Sequence, residues 1–209
     1  MKKIKAILFD MDGVLIDAKD WHYEALNKAL GLFGLPISRY DHLTSFDGLP
    51  TKVKLKMVSK RFFLPESLHS FINQLKQNYT VELIHERCHP LFHHEYALSK
   101  LHQEGYQIAV CSNSIRKTIE LMMEKAALTP YLDLIVSNED VVKAKPDPEM
   151  YQFAIKSFGL RPEECIVVED NPNGIQAGKA SGAFVMEVST VYDVTYENIM
   201  RMVRRCEDD

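Results

Sequence analysis

The sequence of 209 residues has one tryptophan, few cysteines and no long apolar stretch. Its cysteines, Cys88, Cys111, Cys165 and Cys206, are far apart and form no CxxC pair, which argues against disulfides and a zinc site and indicates a reducing compartment. The apolar run before Asp10 has four residues, too few for a signal peptide or a membrane span. We therefore expect a cytoplasmic protein with no membrane partner.

An excess of positive charge is also missing. The chain has 25 lysines and arginines against 29 acidic residues, a net charge of −4, which argues against nucleic acid as a partner. A small anionic substrate is still compatible, because a local cluster of donors can oppose the overall sign. The composition, 46% hydrophobic and 26% charged, is ordinary for a globular protein, and this length suits one domain, with or without a small insert.

Short apolar runs recur along the chain and alternate, in its later part, with helical patterns. Runs of this kind predict strands buried on both faces of a sheet. Strand followed by helix, repeated at this spacing, is typical of right-handed βαβ units and a parallel sheet. The predicted strands of this α/β fold are residues 4–9, 106–111, 132–136, 165–168 and 183–188.

The segment 17–88 interrupts this alternation, because it contains helical runs and no convincing strand. It falls between the first predicted strand and the rest of the sheet, which indicates an inserted all-helical domain. The expected division is therefore a core of residues 1–16 and 89–209 with an insert of residues 17–88. Such an insert would cover the carboxyl ends of the strands, where open parallel sheets bind ligands.

Polar side chains follow the predicted strands at the points where these end. Because the carboxyl ends of parallel strands share one edge, we expect these side chains to meet there. They are Asp10 and Asp12 after the first strand, Ser112 and Asn113 after the second, Lys145 in a later loop, and Glu169 and Asp170 after the fourth.

This ordered set of motifs, DxDGV, CSNS, KPDP and VVEDNPNG, resembles the haloacid dehalogenase superfamily of phosphohydrolases and phosphomutases. The motifs span nearly the whole chain, and their wording is most similar to that of the β-phosphoglucomutase-like phosphatases. The resemblance implies a Rossmann-like parallel sheet sandwiched by helices, with an inserted all-α cap. It also implies a Mg²⁺-dependent phosphatase that hydrolyses a small phosphorylated metabolite through an aspartyl phosphate. A monomer or weak homo-oligomer is expected.

The resemblance assigns catalytic roles to four side chains. Asp10 would be the nucleophile, and a carboxyl group with an ordinary pKa near 4 needs no base to become anionic. Asp12 would protonate the leaving oxygen and later take a proton from the attacking water. Ser112 and Lys145 would hold the phosphoryl group by a hydrogen bond and by charge.

Metal ligands and substrate contacts also follow from the resemblance. Mg²⁺ prefers oxygen ligands, and Asp10 and Asp170 would bind it directly, together with the main-chain carbonyl of Asp12. Glu169 would either bind the metal or hold the metal ligands in position without contacting the metal itself. The candidate substrate-binding residues are Asn113, through its backbone amide, His22 and Lys52.

Several alternatives stay open at this point. A phosphomutase would use an alcohol as acceptor, but family mutases usually carry Thr or Ser after the residue matching Asp17, and Ala18 stands here. Dehalogenases of this superfamily generally lack the second acid, whereas Asp12 is present. A phosphonatase would need a distinctive cap lysine, and none is evident. A catalytically silent binding module is disfavoured because the motif residues are intact.

Overall fold

The computed structural model of the protein describes residues 4–46 and 49–208. The strands are β1 (Ala6–Phe9), β2 (Gln107–Cys111), β3 (Leu134–Val136), β4 (Cys165–Glu169) and β5 (Phe184–Glu187). The helices are α1 (Lys19–Gly31), α2 (Arg39–Asp41), α3 (Thr51–Phe62), α4 (His69–Arg87), α5 (Phe92–Gln103), α6 (Arg116–Lys125), α7 (Glu149–Ser157), α8 (Pro172–Ser181) and α9 (Tyr196–Asp208).

The strands form one parallel sheet in the order β3-β2-β1-β4-β5. The first strand of the chain is therefore central, and Ile7 pairs with Ile108 on one side and with Ile166 on the other. This arrangement confirms the predicted α/β fold with a parallel sheet. It also places the carboxyl end of β1 between those of β2 and β4.

Both faces of the sheet are covered, as the apolar runs predicted. Alternate strand residues such as Leu8 and Ala109 pack in one cluster with Met150 of α7 and Ala177 of α8. On the three central strands, Ile7 and the other residues that point the opposite way are also fully buried, whereas those of β3 and β5 are partly exposed. A sheet buried on both faces explains why these strands read as continuous apolar runs.

The chain divides into two compact units, one of Met1–Asp17 with His89–Asp209 and one of Ala18–Cys88. We call the second the helical unit, because its described residues contain helices and no strand. It has an apolar core of its own. Asp17, which sequence analysis placed at the start of the insert, falls in the first unit.

Two further expectations concern disulfide bonds and membrane-spanning helices. All four cysteines are free thiols, and three of them are buried. Across residues 4–46 and 49–208, no helix combines the length and the apolar character needed to cross a membrane.

Candidate active site

The turn after β1 directs two acidic residues to the carboxyl edge of the sheet. The amide of Asp10 still donates to the Val168 carbonyl of β4 (3.0 Å), so this residue continues the strand pairing. The chain then reverses at Gly13, which has a φ of 96°, a conformation that costs glycine little. The Ile16 amide donates to the Met11 carbonyl (2.9 Å), which closes the turn containing Asp12.

Lys145 connects three strand ends at this edge. Its ammonium donates to Oδ1 of Asp10, to the carbonyl oxygen of Cys111 and to Oε1 of Glu169, each at 2.7 Å. An ammonium has three protons, and these acceptors use all of them. The side chain is 4% exposed. Burial works to lower the pKa of Lys145, but Asp10 and Glu169 outweigh it and raise that pKa, so the group stays charged.

Asp10 lies in a strongly negative, buried environment. Burial and the neighbouring Glu169 carboxylate raise its pKa well above the ordinary value, while Lys145 opposes this rise. The expectation of an ordinary pKa for the Asp10 carboxyl group therefore does not hold here. Its ionisation depends on positive charge at the site.

The residues after β2 support both Lys145 and Asp12. Ser112 is buried at the strand end, and its amide donates to a carbonyl of β3. The side chain of Asn113 accepts from the Lys145 amide (3.1 Å) and donates to the Lys145 carbonyl (3.4 Å). Sequence analysis missed Ser114, whose hydroxyl is 3.5 Å from Oδ2 of Asp12. The CSNS motif was the available signal for Ser114.

Three carboxylates lie together beside Lys145. Ligand oxygens of Asp10, Glu169 and Asp170 all lie within 4.8 Å of one another, the one such group of possible metal ligands in the described part of the chain. Both carboxylate oxygens of Asp170 are shielded from solvent. Three acids against one lysine leave an excess of negative charge, and oxygen ligands of this kind suit a hard divalent cation.

His22 and Lys52, the two other candidates for substrate contact, belong to the helical unit. His22 lies on α1, where its Nδ1 is 3.1 Å from Nζ of Lys76 on α4. Lys52 is exposed in the first turn of α3.

Of the lysines in the insert, only Lys52 was predicted to have a functional role, yet the structure buries two others, Lys54 and Lys76. The sequence did contain a signal for Lys76, since this residue belongs to a row of residues spaced four apart along α4. The buried residues of that row are Ile72, Lys76, Thr80 and Ile84.

Fold and site together define an α/β protein in which carboxylates and a buried lysine lie together at the carboxyl edge of a parallel sheet. The sequence profile of the haloacid dehalogenase-like hydrolases matches residues 7–188, and the chain belongs to this family. The family predicted from the ordered motifs is thus confirmed.

The chain is similar to named enzymes over most of its length. It is 30% identical over 179 residues to a phosphoglycolate phosphatase of Aquifex aeolicus, with 86% of this chain and 82% of the relative covered. It is 26% identical over 196 residues to a phosphorylated carbohydrates phosphatase of Thermotoga maritima, covering 92% and 86%. Its fold matches a β-phosphoglucomutase structure from Clostridium difficile with a TM-score of 0.84 at 22% identity, covering 99% and 100%.

Proposed function

We propose that the protein is a Mg²⁺-dependent phosphatase that hydrolyses a small phosphorylated metabolite through an aspartyl phosphate on Asp10. The observation that carries this proposal is the Lys145 ammonium, held 2.7 Å from both Asp10 and Glu169 at the edge where Ser112 follows β2. The named phosphatases among the relatives agree with it.

In this mechanism the nucleophile and the proton carrier are different acids. Oδ2 of Asp10, the oxygen not bonded to Lys145, attacks phosphorus, and the P–O bond to the leaving group breaks. Asp12 protonates the leaving oxygen and then takes a proton from the water that hydrolyses the aspartyl phosphate. The Ser112 hydroxyl and the backbone amide of Asn113 hold the phosphoryl oxygens, and the charge of Lys145 beside Asp10 offsets theirs, since positioning and charge stabilisation dominate this chemistry.

Asp10, Asp170 and the Asp12 carbonyl would hold the Mg²⁺. When bound, the ion offsets the negative charge that otherwise opposes the approach of a carboxylate to a phosphate dianion. The raised pKa of Asp10, caused by burial and by Glu169, is what a site built to include a cation would have in its absence.

In the helical unit, we propose His22 and Lys52 as substrate-binding residues. His22 with Lys76 supplies donors suited to the hydroxyl groups or anionic groups of a sugar phosphate or similar ester. Lys52, whose side chain is exposed, is the weaker candidate for substrate binding.

The second candidate function is a phosphomutase, favoured by the fold shared with a β-phosphoglucomutase. In that case an alcohol of the substrate replaces water as acceptor. Ala18, where mutases carry Thr or Ser, favours hydrolysis. A panel of phosphorylated sugars, alcohols and amino alcohols separates the two, because a mutase converts one isomer into another whereas a phosphatase releases inorganic phosphate.

The direct test uses p-nitrophenyl phosphate with and without Mg²⁺. We expect hydrolysis that requires the metal and is lost in Asp10→Asn, with kcat reduced by at least about a thousandfold. Glu163→Gln is the matched control, because Glu163 lies at the surface, where it pairs with Arg161, and its loss should leave kcat unchanged. Full activity in Asp10→Asn would refute the mechanism.

A further inference from the structure

Tyr151 touches the site, although the proposed reaction gives it no role. It heads the largest fully buried side chains of the described chain and lies on α7. Its hydroxyl donates to Oε1 of Glu169 (2.7 Å). The Nζ of Lys145 lies 4.7 Å from the centre of its ring, within the range of a cation–π contact.

The carboxylate of Glu169 is held by four hydrogen bonds. Lys145 and Tyr151 both donate to its Oε1 at 2.7 Å. The amides of Asp170 and Asn171 donate to its Oε2 at 3.1 and 3.3 Å. Four donors occupy both oxygens of this carboxylate, which favours a supporting role for Glu169 over direct binding of the metal.

The same contacts form a chain that ends at the nucleophile. The Lys145 ammonium donates its three protons to Asp10, to Glu169 and to a main-chain carbonyl. A shift of the Glu169 carboxylate would therefore change the direction of the Lys145 ammonium. The Tyr151 hydroxyl is the side-chain donor that shares Oε1 of Glu169 with Lys145. Without the Tyr151 hydroxyl, Oε1 of Glu169 would attract the Lys145 ammonium more strongly, and the same ammonium also donates to Asp10.

We propose that Tyr151 is a positioning residue: its hydroxyl fixes Glu169, so that Lys145 keeps its hydrogen bond to the nucleophilic carboxylate of Asp10. This inference rests on the proposed phosphatase function. It predicts an effect on the rate of phosphoryl transfer rather than on substrate binding, because Tyr151 itself is buried and acts through two other side chains.

The test compares Tyr151→Phe, which removes only the hydroxyl, with Tyr106→Phe, a buried tyrosine that precedes β2 at the opposite edge of the sheet. With p-nitrophenyl phosphate and Mg²⁺, we expect kcat of Tyr151→Phe to fall about tenfold, with KM within about twofold of wild type. Tyr106→Phe should keep the wild-type kcat. Thermal unfolding curves verify that each variant is folded at the assay temperature.

A double-mutant cycle with Glu169→Gln distinguishes positioning from a general structural role. If Tyr151 acts through Glu169, Tyr151→Phe should change kcat little in the Glu169→Gln background. Loss of folded enzyme would instead lower kcat by the same factor in both backgrounds, and that outcome overturns the inference. A wild-type kcat in Tyr151→Phe overturns it as well and leaves the phosphatase function standing. Wild-type protein that releases no p-nitrophenol would overturn both.

Discussion

His94 should make the protein sensitive to acid. The side chain lies on α5, is 1% exposed, and places Nε2 2.8 Å from the Val191 carbonyl oxygen. Burial lowers its pKa from 6.5 to about 4, and the neighbouring His93 adds to this, while hydrogen bonds to the main chain at Val191 and Leu15 partly oppose it. The folded protein therefore holds His94 neutral under conditions in which the unfolded chain binds a proton.

The sign and size of the effect follow from this difference. Because the unfolded state binds the proton more tightly, the free energy of unfolding falls as the pH drops below 6.5, and the fall is complete below about 4. Between about pH 7.5 and about pH 5 the loss from His94 is about 2 kcal/mol, rising to about 3 kcal/mol at pH 4. That is a large share of the roughly 5–15 kcal/mol that stabilises a typical domain.

Urea unfolding at several pH values measures this loss, and His94→Gln is the matched variant. The glutamine amide can still donate to the Val191 carbonyl but does not titrate. We expect the stability of wild type relative to His94→Gln to decrease by about 2 kcal/mol from pH 7.5 to pH 5. His93→Gln in both backgrounds removes the second ring, which lies 4.2 Å away between centroids. A difference that stays constant with pH would refute the reasoning.

Three other substitutions test the site, and a fourth, Gly31→Ala, is a control for one of them. Lys145→Met should lower kcat for p-nitrophenyl phosphate by at least about a hundredfold, because it leaves two buried carboxylates without their shared cation; wild-type kcat would contradict this. Gly174→Ala should lower the free energy of unfolding by about 2 kcal/mol, since its Cβ would lie 1.8 Å from Oε1 of Glu169. Gly31→Ala, with nothing within 4 Å, should instead raise it by about 0.5–1 kcal/mol, and equal urea midpoints for the two would count against the clash. Ser112→Ala should reduce kcat about tenfold, measured in the same assay, and no change would exclude its hydroxyl from phosphoryl binding.

Much of the fold could be predicted because its signals are local. Continuous apolar runs indicated strands buried on both faces. Four of the five predicted runs contain an observed strand, and the fourth run, 165–168, lies within β4, which extends to Glu169. Polar residues at the ends of those runs, in motif order, were enough to predict the family. A run of apolar residues or a DxD turn depends on neighbours a few positions away, and such patterns are legible in a single sequence.

The electrostatics of the site could not be predicted in the same way. Asp10 and Lys145 are 135 residues apart, and their 2.7 Å contact exists only because the sheet order brings their segments together. Burial and Glu169 then raise the pKa of Asp10, which an isolated carboxyl group does not reveal. The four donors on Glu169 likewise favour one of the two roles that its motif allowed.

The sequence by itself therefore determined the kinds of elements, their order and the family, since these follow from hydrophobic period and from motifs read along the chain. The tertiary structure decided which side chains act on one another: Tyr151 on Glu169, His22 beside Lys76, and His94 buried against a carbonyl. These contacts join residues distant in sequence. Their energies depend on burial and on nearby charge, which only the packed fold creates.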